Sequence, residues 1–210
     1  MPHPLLARDG LYAITDGPRA DLVDACAAAI EGGATLLQYR DKTRDDARRL
    51  VEAKALAALC ARHRIALIVN DDVELAAASG AAGVHLGEDD IDVAGARARL
   101  GAGAIVGVSC YDSPDRARAL AKQGADYLAF GAFFASPTKP HARQATPALL
   151  RGATALGLPL VAIGGITPQN GAALIAAGAN YLAVISAVFG VRDVRAAARS
   201  LAALFDAARS

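Results

Sequence analysis

The sequence predicts a single-domain (β/α)8 barrel over residues 1–210, and three features of the chain lead there. Short apolar runs alternate with amphipathic stretches along its whole length, and eight such strand–helix units can be counted. Runs such as Ile65-Ala66-Leu67-Ile68-Val69 are apolar throughout, as expected of a parallel strand covered on both faces. Gly-Ala steps stand just before four of the runs, at Gly32-Gly33-Ala34, Gly80-Ala81, Gly124-Ala125 and Gly178-Ala179, which suits tight helix-to-strand turns. A doubly wound open sheet is the competing arrangement. Eight parallel units close most naturally as a barrel, although 210 residues is compact for one.

The elements follow in order. Leu11–Thr15 is the first strand, and a helix over Asp21–Glu31 carries Leu22, Val23, Cys26 and Ile30 as its apolar stripe. The second strand is Leu36–Tyr39, followed by a long helix over Asp45–His63 with Leu50, Leu56 and Leu59 on one side. Ile65–Val69 is the third strand, with a short helix over Val73–Ser79. Gly83–Leu86 and a helix over Val93–Leu100 come next, then the strand Ile105–Ser109. Asp112-Ser113-Pro114 opens another helix, since serine caps well and proline suits the first turn. The strand Tyr127–Gly131, the helix Thr146–Leu156 and the strand Leu160–Gly164 follow. Thr167-Pro168 repeats the helix-start signal, Tyr181–Ser186 is the last strand, and Arg192–Ala208 closes the chain.

Composition narrows the function. A net charge of +1 provides no general field for nucleic acid or an anionic membrane, so neither is expected as a partner. Hydrophobic residues make up 54% of the chain, which argues against disorder. No apolar stretch approaches the roughly 20 residues of a membrane span, and Met1-Pro2-His3-Pro4 lacks the features of a signal peptide. Three scattered cysteines, Cys26, Cys60 and Cys110, suit a reducing compartment. A cytoplasmic protein is expected, in which any anionic ligand must be held by local charges, and a homo-oligomer is compatible with the sequence.

In a parallel β/α barrel the carboxyl ends of all strands share one face. The polar residues that end each apolar run therefore meet there. Gly164-Gly165 and Ser186-Ala187 end strands seven and eight, where phosphate commonly docks on backbone N–H groups. Arg40 and Lys42 follow strand two, and Lys139 follows strand six. Arginine offers a fork to phosphate oxygens and lysine a point charge. Asp71 and Asp90 end strands three and four, and one or two carboxylates completed by water and substrate phosphates describe a Mg²⁺ site. Each aspartate, with its neighbours Asp72 and Asp89, would equally suit a helix cap. Beside Arg40, Lys42 and Asn70 the metal reading is the better one, and cations around Mg²⁺ suggest a pyrophosphate. His85 reads as a packed barrel residue, while His63 and His141 read as surface residues. Cys110 has no partner that would make it a nucleophile.

The ordered set Q-x-R-x-K (Gln38 to Lys42), N-D (Asn70-Asp71), H-x-G-x-x-D (His85 to Asp90), G-V-S (to Ser109), S-x-T-K (Ser136 to Lys139), A-I-G-G-I (to Ile166) and V-I-S-A (to Ala187) resembles thiamine phosphate synthase. The resemblance runs from Leu11 to Ala187. It implies a Mg²⁺-assisted dissociative coupling of an aminopyrimidine diphosphate with a thiazole phosphate, with loss of CO₂ when the thiazole is carboxylated. It also implies that Gln38, Tyr39, Arg40, Asp41, Lys42, Asn70, Ser109 and Lys139 hold the pyrimidine diphosphate. Of these, Arg40, Lys42, Ser109 and Lys139 would be catalytic, with Asp71 and Asp90 binding Mg²⁺. Ser136, Pro137, Thr138, Gly165, Ile185 and Ser186 would hold the thiazole phosphate. Ser136 stands where the family often has threonine, and Tyr111 where many members have histidine. A related thiazole tautomerase or a silent phosphate-binding barrel would need neither the cations nor the metal carboxylates. The segment Phe133–Gln144, with its prolines and basic residues, reads as a cover over the site.

Overall fold

In the computed structural model, residues 3–135 and 143–208 are described. Eight strands close a barrel in sequence order: β1 (Gly10–Ile14), β2 (Ala34–Tyr39), β3 (Ala66–Asn70), β4 (Gly83–Leu86), β5 (Ile105–Tyr111), β6 (Tyr127–Phe130), β7 (Leu160–Ile163) and β8 (Tyr181–Val184). All pairings are parallel, and β8 returns to β1 through Gly10↔Tyr181 and Ala13↔Val184. The helices are α1 (Leu22–Glu31), α2 (Asp46–His63), α3 (Val73–Ser79), α4 (Val93–Leu100), α5 (Pro114–Lys122), α6 (Pro147–Ala153), α7 (Ala172–Ala176), α8 (Ser186–Phe189) and α9 (Val194–Ala207). Among the described residues no helix is long and apolar enough to cross a membrane.

Local chemistry sets the helix starts. Asp45, Asp72, Asp92, Ser113 and Asp193 each accept a hydrogen bond from the backbone N–H three residues on, which satisfies a donor the helix cannot. The closing helix therefore begins at Val194, two residues later than Arg192. Thr167-Pro168 does not open a helix. Asn170 Oδ1 instead accepts from the Thr167 N–H at 2.8 Å and its Nδ2 donates to the Gly165 carbonyl at 3.0 Å. This is the reciprocal bond of a capping box; it closes a turn in which the Gly171 N–H donates to the Thr167 carbonyl at 3.0 Å, and α7 follows from Ala172. The last strand ends at Val184, and Ser186 opens the unanticipated short helix α8.

Alternation along each strand makes two apolar layers. Leu37, Leu67, Val106, Leu128 and Leu182 face the helices, whereas Tyr12, Leu36, Ile68, Ile105, Tyr127, Val161 and Tyr181 fill the barrel. Fully burying one such large side chain contributes about 1.5–3 kcal/mol. A 3₁₀ turn over Pro4–Leu6 inserts Leu6 into the inner cluster, where its carbonyl accepts from the Tyr181 hydroxyl at 3.0 Å. The rings of Tyr12 and Tyr127 meet edge-on with centroids 6.0 Å apart.

Gly107 makes room for that pair, since a Cβ there would lie 1.8 Å from Tyr127 Cζ. Tyr127 is itself enclosed and cannot retreat. Gly107→Ala is therefore expected to destabilise the fold by about 3 kcal/mol through overpacking, measured by urea unfolding.

Candidate active site

The carboxyl ends of the strands surround a cavity of about 830 Å³. Gln38, Arg40, Lys42, Asn70, Asp71, Asp90 and Ser109 line one part of it, and Gly164, Gly165, Ile185 and Ser186 line another. Residues that lie 148 positions apart in the chain, from Gln38 to Ser186, thus share one cavity.

Arg40 is fixed through its backbone. Its N–H donates to Thr15 Oγ1 at 2.8 Å, and that hydroxyl donates to the Arg40 carbonyl at 3.0 Å. The ends of β1 and β2 are thereby joined, and the guanidinium reaches the cavity. Lys42 Nζ donates to Asp71 Oδ2. Asp71 has a left-handed backbone with φ of 63°, and its N–H donates to the His85 carbonyl at 2.8 Å. That conformation disfavours a non-glycine residue, so the surrounding bonds hold a strained turn. It also separates the functions of two adjacent aspartates. Asp71 lines the cavity, whereas Asp72 caps α3 and pairs with Arg49 at 2.9 Å.

Asp90 is held by the Gly87 N–H, which donates to its Oδ2 at 2.6 Å. Burial pushes the Asp90 carboxyl above its usual range, and the negative charge of Asp71 raises it further. Ser109 is positioned from two sides. Arg116 Nε donates to the Ser109 carbonyl at 2.8 Å and its Nη2 to the Gly87 carbonyl at 3.1 Å, which joins the ends of β4 and β5. On the cavity side, Ser109 Oγ lies 2.9 Å from His85 Nε2.

At the opposite wall Gly164 and Gly165 have φ of 105° and 62°. A Cβ at these positions would lie 2.4 Å from Ala132 Cβ and 2.6 Å from the Ala135 carbonyl oxygen, respectively. Only glycine fits, and the backbone itself becomes the cavity surface. Ser186 begins α8, whose first N–H groups have no partner within the helix.

Two residues expected at the site are elsewhere. The Tyr39 side chain points outward, as alternation from cavity-lining Gln38 requires, and its hydroxyl donates to Glu52 Oε2 at 2.6 Å. Asp41 turns away from the cavity to accept from the Thr43 N–H and from Arg48 Nη2, each at 2.7 Å. Burial pushes the Asp41 carboxyl up, but these two donors outweigh it and hold the carboxyl below its usual range. Ser136, Pro137, Thr138 and Lys139 lie outside the described residues, as does most of the expected cover.

Conversely, His85 is more than a packed barrel residue. It lines the cavity, with Nδ1 2.9 Å from the Tyr127 hydroxyl. Its position between Val84 and Leu86, which face the helices, was the available signal for an inward side chain. Tyr111 also lines the cavity with a φ of 55°, and the Arg143 guanidinium lies 4.6 Å from its ring centroid while pairing with Glu88 at 2.7 Å. Burial pushes the Cys110 thiol up to about 12, so it is no nucleophile at neutral pH. Among the described residues no group of three or more His, Cys, Asp or Glu side chains is arranged to hold a metal.

The family model for thiamine monophosphate synthase matches residues 11–188. The chain belongs to that family. Among curated members, the thiamine-phosphate synthase of Xanthomonas campestris pv. campestris (strain 8004) is 54% identical over 198 residues, covering 93% of this chain and 95% of the relative. That of Chromobacterium violaceum is 54% identical over 201 residues, covering 95% of this chain and 97% of the relative. The solved thiamine phosphate pyrophosphorylase of Pyrococcus furiosus superposes with a TM-score of 0.88 at 33% identity, covering 98% of this chain and all of that one.

Two outcomes test the outward placement of Tyr39 and Asp41. Tyr39→Phe is expected to cost about 1 kcal/mol of stability, one net hydrogen bond, with kcat/KM for the family reaction little changed. A depressed carboxyl such as Asp41 stabilises the fold fully above its unfolded pKa of 3.8, and that contribution is lost as pH falls through the folded value. Asp41→Asn should therefore lower Tm at pH 7, and the gap from wild type should narrow on acidification below the carboxylate range.

Proposed function

We propose that the chain couples 4-amino-2-methyl-5-(diphosphooxymethyl)pyrimidine to a thiazole phosphate, giving thiamine monophosphate and pyrophosphate, with loss of CO₂ when the thiazole is carboxylated. The observation that carries this reading is the division of one cavity into two walls of different chemistry. Arg40, Lys42, Asn70, Asp71 and Asp90 gather charge on one wall, suited to a diphosphate. Gly164, Gly165, Ile185 and Ser186 offer backbone on the other, suited to a monophosphate. The identity of the two substrates is what the resemblance to that family implies.

The residues present fit Mg²⁺. The charge of Asp71 adds to the cost of ionising Asp90, which a divalent cation would relieve, and Mg²⁺ is commonly held by two carboxylates with water and substrate phosphate completing the shell. When bound, Mg²⁺ would neutralise the charge that develops on the departing pyrophosphate.

Arg40 and Lys42 act on the same charge by binding the diphosphate oxygens, and Ser109 contributes a hydrogen bond on that side. The bond between the pyrimidine methylene and the pyrophosphate oxygen breaks first, with its electron pair leaving on oxygen. The thiazole nitrogen then supplies the pair that forms the new carbon–nitrogen bond. No protein nucleophile is needed. Holding the two rings side by side shortens the life of the cation and excludes capture by water. Gln38 orients the aminopyrimidine, while Lys139 and Ser136 to Thr138 complete the two phosphate sites as the family pattern implies. Buried, unbridged Cys26, Cys60 and Cys110 support a reducing, cytoplasmic setting.

Mixing both phosphorylated precursors with the protein should yield thiamine monophosphate with Mg²⁺ and far less after chelation. No product under either condition would reject the reading. Asp71→Asn should lower kcat by about 10²–10³, the scale of losing one preorganised charge-stabilising group, with little change in Tm.

A further inference from the structure

A line of hydrogen bonds crosses the inside of the barrel beneath the cavity. Gln38 Nε2 donates to the Tyr12 hydroxyl at 2.7 Å. The Tyr12 and Tyr127 hydroxyls are 2.9 Å apart, Tyr127 is 2.9 Å from His85 Nδ1, and His85 Nε2 is 2.9 Å from Ser109 Oγ. Both tyrosine side chains are fully enclosed, and burial pushes both phenols up, so each keeps its single hydrogen.

One donor at the head of this line settles the rest. A phenol has one hydrogen to give. Gln38 Nε2 can only donate, so the buried Tyr12 hydrogen has Tyr127 as its acceptor in this line; Tyr127, accepting from Tyr12, has His85 Nδ1 as the acceptor for its own hydrogen. A neutral imidazole that accepts at Nδ1 carries its proton on Nε2. We propose that Gln38, Tyr12 and Tyr127 form a one-way chain that holds His85 as its Nε2–H tautomer, so that Ser109 Oγ accepts from His85 and turns its own hydrogen toward the ligand.

Tyr127 and His85 are then positioning residues, acting through Ser109. The chain also links the two substrate-facing residues at its ends. Gln38 lines the cavity, and with Nε2 committed to Tyr12 its Oε1 is left to accept from a ligand amino group. A ligand that donates to Oε1 prevents the amide from flipping, and so fixes the direction of every bond as far as Ser109. The direction of the chain rests on Gln38 donating to Tyr12 and on each buried phenol hydrogen finding a partner, whereas the use made of Ser109 rests on the coupling reaction proposed above.

The test has two parts. In ¹⁵N spectra of the histidine-labelled protein at neutral pH, His85 is expected to show a pyridine-type Nδ1 and a pyrrole-type Nε2. Tyr127→Phe, which keeps the ring and removes the donor, should convert this to a mixture of tautomers. The same variant should lower kcat about tenfold, the worth of roughly one net hydrogen bond, with KM for both precursors changed by less than about threefold. In a Ser109→Ala background it should have no further effect on kcat, since the two changes act on one interaction. An Nδ1–H tautomer in the wild type overturns the proposal, as do unchanged ring signals in Tyr127→Phe or additive losses in the double variant. A wild type that makes no thiamine monophosphate rejects the coupling reaction instead, and the Nε2–H tautomer in that sample would still support the chain.

Discussion

Closure of a parallel sheet is the constraint on which the rest of this molecule depends. Once β8 pairs with β1, every strand delivers its carboxyl end to the same mouth. Strand alternation then allows only every second residue to look inward. The choice between cavity and helix layer is made residue by residue, with no intermediate position. Gln38 and Tyr39 are adjacent, yet one lines the cavity and the other bonds Glu52 beneath α2.

The same constraint explains how much could be read from sequence. The strands are short and apolar, with glycine at the turns, and their number and order follow from pattern alone. Most helix starts follow from Asp or Ser at the cap. Thr167-Pro168 does mark a start, but of a turn over residues 167–171 that Asn170 caps, and the regular helix follows only from Ala172. At the site, residue types showed that charge must collect at the mouth, but not which neighbour faces it. Asp41 resembles a ligand in sequence and is taken by Thr43 and Arg48. The apolar neighbours of His85 point to packing, whereas its polar partners, Ser109 and Tyr127, come from strands 24 to 42 residues further on.

Electrostatics divides the aspartates by a simple rule. Those whose carboxylates meet a backbone N–H of the following turn, such as Asp72 and Asp92, are satisfied by the fold. Asp71 and Asp90 are held close to one another, and Lys42 pairs with Asp71. The fold tolerates this local excess of negative charge in a cavity that otherwise supplies arginine, lysine and bare backbone. Such an imbalance is characteristic of a surface completed by its ligands, where binding supplies what folding leaves uncompensated.

The left-handed backbone at Asp71 and Tyr111 has a consequence for how this chain can change. Both residues sit where glycine would be more comfortable, by roughly 1 kcal/mol or more. Both also face the cavity. Selection for thermal resistance alone would favour replacing them, and each replacement would erase a side chain from the mouth of the barrel. At these two positions robustness and chemistry make opposite demands on one residue, so stabilising this barrel without harming it means leaving both untouched and working on the helix layer.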